Sequence, residues 1–223
     1  MIKNRTYKVF EHAFLSLAVL TLIFTIAEPA VSFGAQSQFT VTQAVSTEIS
    51  FATLASNVNM SPTLGGITGG TANGLTQVAV VTNDLAGYFM TIQASSSLGM
   101  IGNASSTNYI PVYSTTSPDY NFILPANTAR YGYSVNASNT SDVVQLFRNN
   151  GSSCNQAGGS PTTGNCWFGA TTTAVTIINR SIPTTYSGAT TTISFRVGIA
   201  SNPSPTIPND NYVATSTLTA TGN

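Results

Sequence analysis

Charge is what this chain has least of. Among its 223 residues only seven are basic and seven acidic, and charged residues make up 6%, against roughly 25% in an ordinary globular domain. Beyond residue 35 there is no lysine and no histidine, since Lys3, Lys8 and His12 all lie upstream. The downstream cations are Arg130, Arg148, Arg180 and Arg196; the carboxylates are Glu48, Asp84, Asp119, Asp142 and Asp210. Histidine general bases, lysine Schiff bases, a P-loop lysine and histidine metal sites are thereby excluded from that region, as is a basic nucleic-acid surface. Helical periodicity is also missing there. No catalytic residue, cofactor site or metal site is read from this inventory, and the expectation is a protein that is not an enzyme.

Serine and threonine fill about a quarter of the chain. Yet 42% of the residues are hydrophobic and the mean hydropathy is +0.14, which is too apolar for a disordered linker or a mucin-like stalk. Threonine interleaved with Val, Ile, Tyr and Phe is strand chemistry, because branched and aromatic side chains suit a pleated, half-buried surface.

The first 35 residues read as an export leader. Lys3, Arg5 and Lys8 precede an apolar run from Ala13 to Ala27, which Glu28 and Pro29 break before the small residues Ala30, Ser32, Gly34 and Ala35. That order is a signal peptide's, and the run is short of the about 20 residues a membrane span needs. Cleavage is expected between residues 27 and 35; an uncleaved leader would be the chain's membrane contact. Residues 36–223 are then a single domain. The end, TSTLTATGN, carries no apolar tail, and no lipobox cysteine lies near the leader.

Period-2 alternation marks the strands. It is clearest over Thr192–Ala200, where Ile193, Phe195, Val197 and Ile199 share one face opposite Ser194, Arg196 and Gly198. Tyr212–Thr221 places Tyr212, Ala214, Leu218 and Ala220 on one side and mainly threonine on the other. Thr76–Thr82 and Tyr88–Ala94 flank Asn83-Asp84-Leu85-Ala86-Gly87 and read as a hairpin. Further strands are expected over Gln38–Val45, Glu48–Leu54, Tyr109–Tyr113, Asn121–Leu124, Arg130–Val135, Val143–Phe147 and Ala174–Arg180. The glycine-rich stretch 65–74 reads as a flexible crossing. About ten short strands, separated by turn residues, specify an all-β fold: an antiparallel sandwich, Ig-like or jelly-roll in type, behind a signal-peptide helix.

Cys154 and Cys166, twelve positions apart among Gly, Ser and Asn, read as a disulfide of an exported protein. Trp167, the only tryptophan, reads as core packed on that bridge. The alternative makes it an exposed platform for a sugar, together with Tyr109, Tyr113 and Tyr120. Glycoside hydrolysis needs two opposed carboxylates, but the five available sit in separate turn-like contexts. Oxygen-rich loops around Asp119, Asp142 and Asp210 hold too few clustered ligands for an EF-hand.

FTVTQAVSTEISF (39–51), the segment VVTNDLAGYFMTIQAS (80–95) and the closing YVATSTLTATGN (212–223) resemble secreted bacterial β-sandwich surface proteins, as found among exported proteins of uncultivated small-genome bacteria. The pattern is also loosely similar to wall-associated domains of the WxL type. The Trp-x-Leu signature itself is absent, since residues 167–169 are Trp-Phe-Gly, so peptidoglycan binding does not carry over. What the resemblance implies is a surface or extracellular structural role with no active site.

Three functions follow as expectations. The first is a non-enzymatic surface or extracellular structural protein that self-associates into a coat or filament. Low charge removes repulsion between copies, and Phe39, Val41 and Val45 on one face of Gln36–Val45 could form an assembly strand. The second is an adhesin or carbohydrate-binding module, and the third a secreted hydrolase. No nucleic-acid partner is expected.

Overall fold

The structure is a computed structural model that describes residues 11–16, 34–114 and 116–223. Most of the expected leader lies outside the described residues; of it, residues 11–16 are helical and Gly34 and Ala35 have no regular structure. Among the described residues no helix is long and apolar enough to cross a membrane. The chain divides into two compact units, Met1–Ala44 and Val45–Asn223. The strand expected over Gln38–Val45 does not form: residues 34–48 carry no regular structure.

Unit Val45–Asn223 is all-β. Its strands are β1 (Ile49–Thr53), β2 (Gly70–Thr82), β3 (Tyr88–Ala94), β4 (Met100–Gly102), β5 (Tyr109–Ile110), β6 (Ala129–Ala137), β7 (Val175–Arg180), β8 (Ala189–Ile199), β9 (Tyr212–Val213) and β10 (Ser216–Gly222). They form three antiparallel sheets ordered β1-β2-β8-β6, β10-β3-β7 and β5-β4-β9. The first two build the sandwich: Val78, Val80, Tyr133, Val135, Ile193 and Val197 of one join Tyr88, Met90, Ile92, Ile177 and Ile178 of the other in one buried cluster. Alternation works as expected on β3, where Tyr88, Met90, Ile92 and Ala94 are buried and the intervening residues are not.

The expected hairpin is instead a corner between sheets. β2 pairs with β1 and β8, whereas β3 pairs with β10 and β7. The turn at 83–87 thus carries the chain across the core, so both arms bury apolar faces against each other rather than side by side. Gly87 is required there: its φ is +81°, and a Cβ would meet the Arg180 carbonyl. The glycine-rich stretch differs too, since Gly70 to Gly74 lie in β2 and pair with Ile199 to Phe195. Ladder hydrogen bonds to a long, well-formed β8 outweigh the low strand propensity of those residues.

Further segments depart from expectation: the strand expected over Tyr212–Thr221 is two, β9 and β10, in different sheets, and of Tyr109–Tyr113 only Tyr109–Ile110 is strand. Val143–Phe147 makes one bridge, Val143 to Ile178, and then turns as a 3-10 segment over Gln145–Phe147. The turn drives Phe147 into the core beside Tyr133 and Phe168, with ring centroids 5.6 and 6.1 Å away. Asn121–Leu124 forms no strand. The Ile123 N–H instead donates to the Tyr113 hydroxyl at 2.7 Å, and Phe122 stacks on the Tyr113 ring at 4.6 Å. The short β4 carried no alternation long enough to read.

Candidate functional site: the open flank of the sandwich

Sheets need something at their edges, because an edge strand presents unpaired N–H and C=O groups. Two edges are covered. Beside β6, the Tyr131 and Tyr133 main chains bond Pro111, Tyr113 and Phe168 at 2.6–2.8 Å. Beside β7, the Val144 N–H donates to the Ile177 carbonyl at 3.2 Å. An ion pair between Arg180 and Asp142, 2.6 Å, holds that same loop; the side chains are 12% and 8% exposed. The remaining edges, β1 and β10, approach one another on the opposite flank. Neither has a ladder partner there among the described residues.

A groove of about 1020 Å³ runs into this flank. Its walls include Ile193, Phe195 and Val197 from β8, Ile92 from β3, Leu218 from β10, and Met60 from the segment after β1. The β10 side chains that should be core, Ser216, Leu218 and Ala220, are only half-buried, and Thr217, Thr219 and Thr221 face outward exposed. Small residues on that inner face leave volume unfilled. β1 offers a poorer edge: it has five residues, a register shift between Phe51 and Thr53, and mostly exposed side chains. Bulged, short edges resist strand addition.

The residues singled out from sequence fall into three groups. Cys154 and Cys166 form the disulfide, with Cα atoms 5.6 Å apart, and fasten the loop 149–166 beside Trp167. Trp167 is 1% exposed and its indole N–H donates to the Gly164 carbonyl at 2.9 Å, so it is core. Tyr113 is buried as well; its hydroxyl donates to Asp119 at 2.8 Å, and burial, with that hydrogen bond, pushes its pKa up to about 12. Tyr120 is half-buried and Tyr109 is exposed. The four rings therefore do not present one open platform, although Tyr186, which the pattern did not mark, is 96% exposed. Phe39, Val41 and Val45 are all more than four-fifths exposed, at 86%, 82% and 83%.

Arg196, on the face opposite Ile193 and Val197, is half-buried. Its guanidinium lies 4.3 Å from the Trp167 ring centroid and 5.6 Å from that of Phe122, and its Nε donates to Asn73 at 2.7 Å. Desolvation lowers its pKa from the ordinary value. An aromatic layer of Tyr113, Phe122 and Trp167 thus covers the outer face of the four-stranded sheet at this point.

The four aspartates are engaged one by one. Asp84 accepts the Ala86 N–H at 2.9 Å within its turn, Asp119 holds Tyr113, and Asp142 holds Arg180. Asp210 accepts the Ala104 and Ser105 amides at 2.9 and 3.3 Å. Those amides, Ala104 first, pull its pKa below the ordinary value against a smaller desolvation effect. Among the described residues no three His, Cys, Asp or Glu side chains cluster as a metal site. No protein-family model matches the chain, and no curated protein matches it significantly.

The groove is what sequence reasoning missed. A signal was present in S-x-L-x-A-x-G of residues 216–222, an inward face too small to fill a sandwich interior.

Proposed function

We infer that the protein is a non-enzymatic structural protein of the cell surface or extracellular space, exported and self-associating into a coat or filament. The observation that carries this reading is the open flank: a β10 edge with no ladder partner among the described residues, beside a groove of mixed polarity, and the exposed apolar side chains Phe39, Val41 and Val45. A disulfide supports an oxidising compartment. Near-zero net charge lets like copies approach. The resemblance to secreted bacterial sandwich proteins points the same way. For an adhesin or carbohydrate-binding module, Tyr109 is the one exposed ring of the four considered.

Sedimentation velocity over a wide concentration range, with electron microscopy of the same samples, tests the reading. Ordered assemblies that grow with concentration are expected. A protein that stays monomeric throughout would remove the structural-subunit role.

A further inference from the structure

We propose that the groove binds an uncharged, mainly apolar small molecule of the neutral-lipid kind: an aliphatic body ending in one hydroxyl or carbonyl oxygen, which the Tyr131 hydroxyl holds. The inference goes beyond the self-association read above and does not rest on it.

The groove lies between two chain segments over the sandwich interior. Residues 55–67 form one wall and residues 207–215 the other, with Ile193, Phe195 and Val197 of β8 beneath. The half-buried apolar members of each wall pack against the core: Met60 and Leu64 in the first, Ile207, Tyr212 and Ala214 in the second. The polar members Asn57, Asn59, Asn209 and Asn211 are exposed along the rim. The walls are tied at one end, where the Ile207 N–H donates to the Gly66 carbonyl at 3.2 Å. A Cβ on residue 66 would strike the Ile207 carbonyl, so glycine is what lets the walls close there.

One polar group inside is unused. Tyr131 lines the groove and is 4% exposed. Its ring lies against Phe195, with centroids 6.1 Å and planes 9° apart. Among the described residues the tyrosine hydroxyls with a hydrogen-bond partner are those of Tyr113 and Tyr212, and that of Tyr131 has none. The hydroxyls of Tyr88 and Tyr133 also lack partners, but they are fully enclosed and line no part of the groove. A buried hydroxyl without a partner is costly, and a ligand oxygen carried in over the apolar floor satisfies it. Burial raises the Tyr131 pKa, so the group stays a neutral donor.

The lining selects against other classes of ligand. It holds no Lys, Arg or His, and its one charged residue is Asp210, so a carboxylate or phosphate head meets no counter-charge. A sugar needs several polar partners, while the inward surface offers one. The volume of about 1020 Å³ is at the upper end of the roughly 300–1,000 Å³ of small-molecule sites.

The test uses the full chain with a neutral naphthylamine dye that brightens in apolar sites, displaced by decanol, decane, decanoate or maltose below micelle-forming concentrations. Decanol is expected to displace the dye, with decanoate at least about tenfold weaker and maltose inactive. Tyr131→Phe should weaken decanol roughly tenfold, the worth of one buried hydrogen bond, and leave decane unchanged. Ala214→Trp, which fills the groove from a half-buried position, should abolish binding of both. Circular dichroism checks that the variants fold. Absence of decanol binding, by dye or by calorimetry, overturns the proposal, as does equal binding of decanoate or maltose. Equal decanol affinity in wild type and Tyr131→Phe overturns it too, and this arm decides alone should Ala214→Trp fail to fold. Sedimentation reads self-association separately, so either reading can fall without the other.

Discussion

Removing the carboxylate of Asp142 should unlatch the covered edge of the sandwich. Asp142 is 6% exposed and accepts two charge-assisted bonds, from Arg180 at 2.6 Å and from Asn139 at 2.9 Å. Deleting one member of a buried pair costs about 3–5 kcal/mol, because the surviving charge is left without compensation. Here Arg180 keeps two carbonyl acceptors, Ile182 at 3.1 Å and Pro183 at 3.0 Å, and some contact with water. The expected loss for Asp142→Ala is therefore at or just below the lower end, about 2–3 kcal/mol. For a domain of this size that is roughly 5–10 °C in melting temperature. Chemical denaturation of the wild type, Asp142→Ala, Arg180→Met and the Asp142→Ala/Arg180→Met pair closes a double-mutant cycle. The pair should cost less than the sum of its singles by at least about 1 kcal/mol, since no lone charge remains. Additive singles, or an Asp142→Ala loss under about 0.5 kcal/mol, would refute a desolvated latch and make the contact an ordinary surface pair.

Cys154→Ser should lower stability by about 2–3 kcal/mol, because the 12-residue loop regains its entropy when unfolded; denaturation under matched redox conditions measures it, and an unchanged midpoint contradicts it. Arg196→Gln should cost about 1 kcal/mol and shift the near-ultraviolet signal of Trp167, through loss of the stacked cation; a silent substitution would mean that face is wet after all. Asp210 has its folded pKa depressed below its ordinary 3.8, so its contribution is present above that pH and is lost as pH falls through the depressed value. The Ala104 and Ser105 amide resonances should report that step, and Asp210→Asn should abolish it. Tyr88→Phe should be neutral or slightly stabilising, because the buried Tyr88 hydroxyl has no hydrogen-bond partner; a loss above about 1 kcal/mol would reveal one.

Composition and alternation by themselves determined the fold class and most strands. Tyr88–Ala94 coincides with β3, and Thr192–Ala200 differs from β8 only at its ends. Both have faces that differ sharply in polarity, and a period-2 contrast is a local property that no partner can alter. The disulfide was equally legible, since two cysteines admit one pairing. Which strand lies beside which was not local. The turn at 83–87 looks like a hairpin loop in sequence, and whether it joins neighbours or crosses between sheets depends on β8 and β10, over a hundred residues away, competing for the same edges. Arg196 alternates as a solvent residue, yet Phe122 and Trp167 arrive from distant loops to cover it. Gln38–Val45 alternates as well as any strand but remains unpaired, because alternation states which face wants burial and says nothing about who supplies the cover. Only the tertiary arrangement shows which strands pair, and that β10, beside β3, has no ladder partner on its other edge among the described residues.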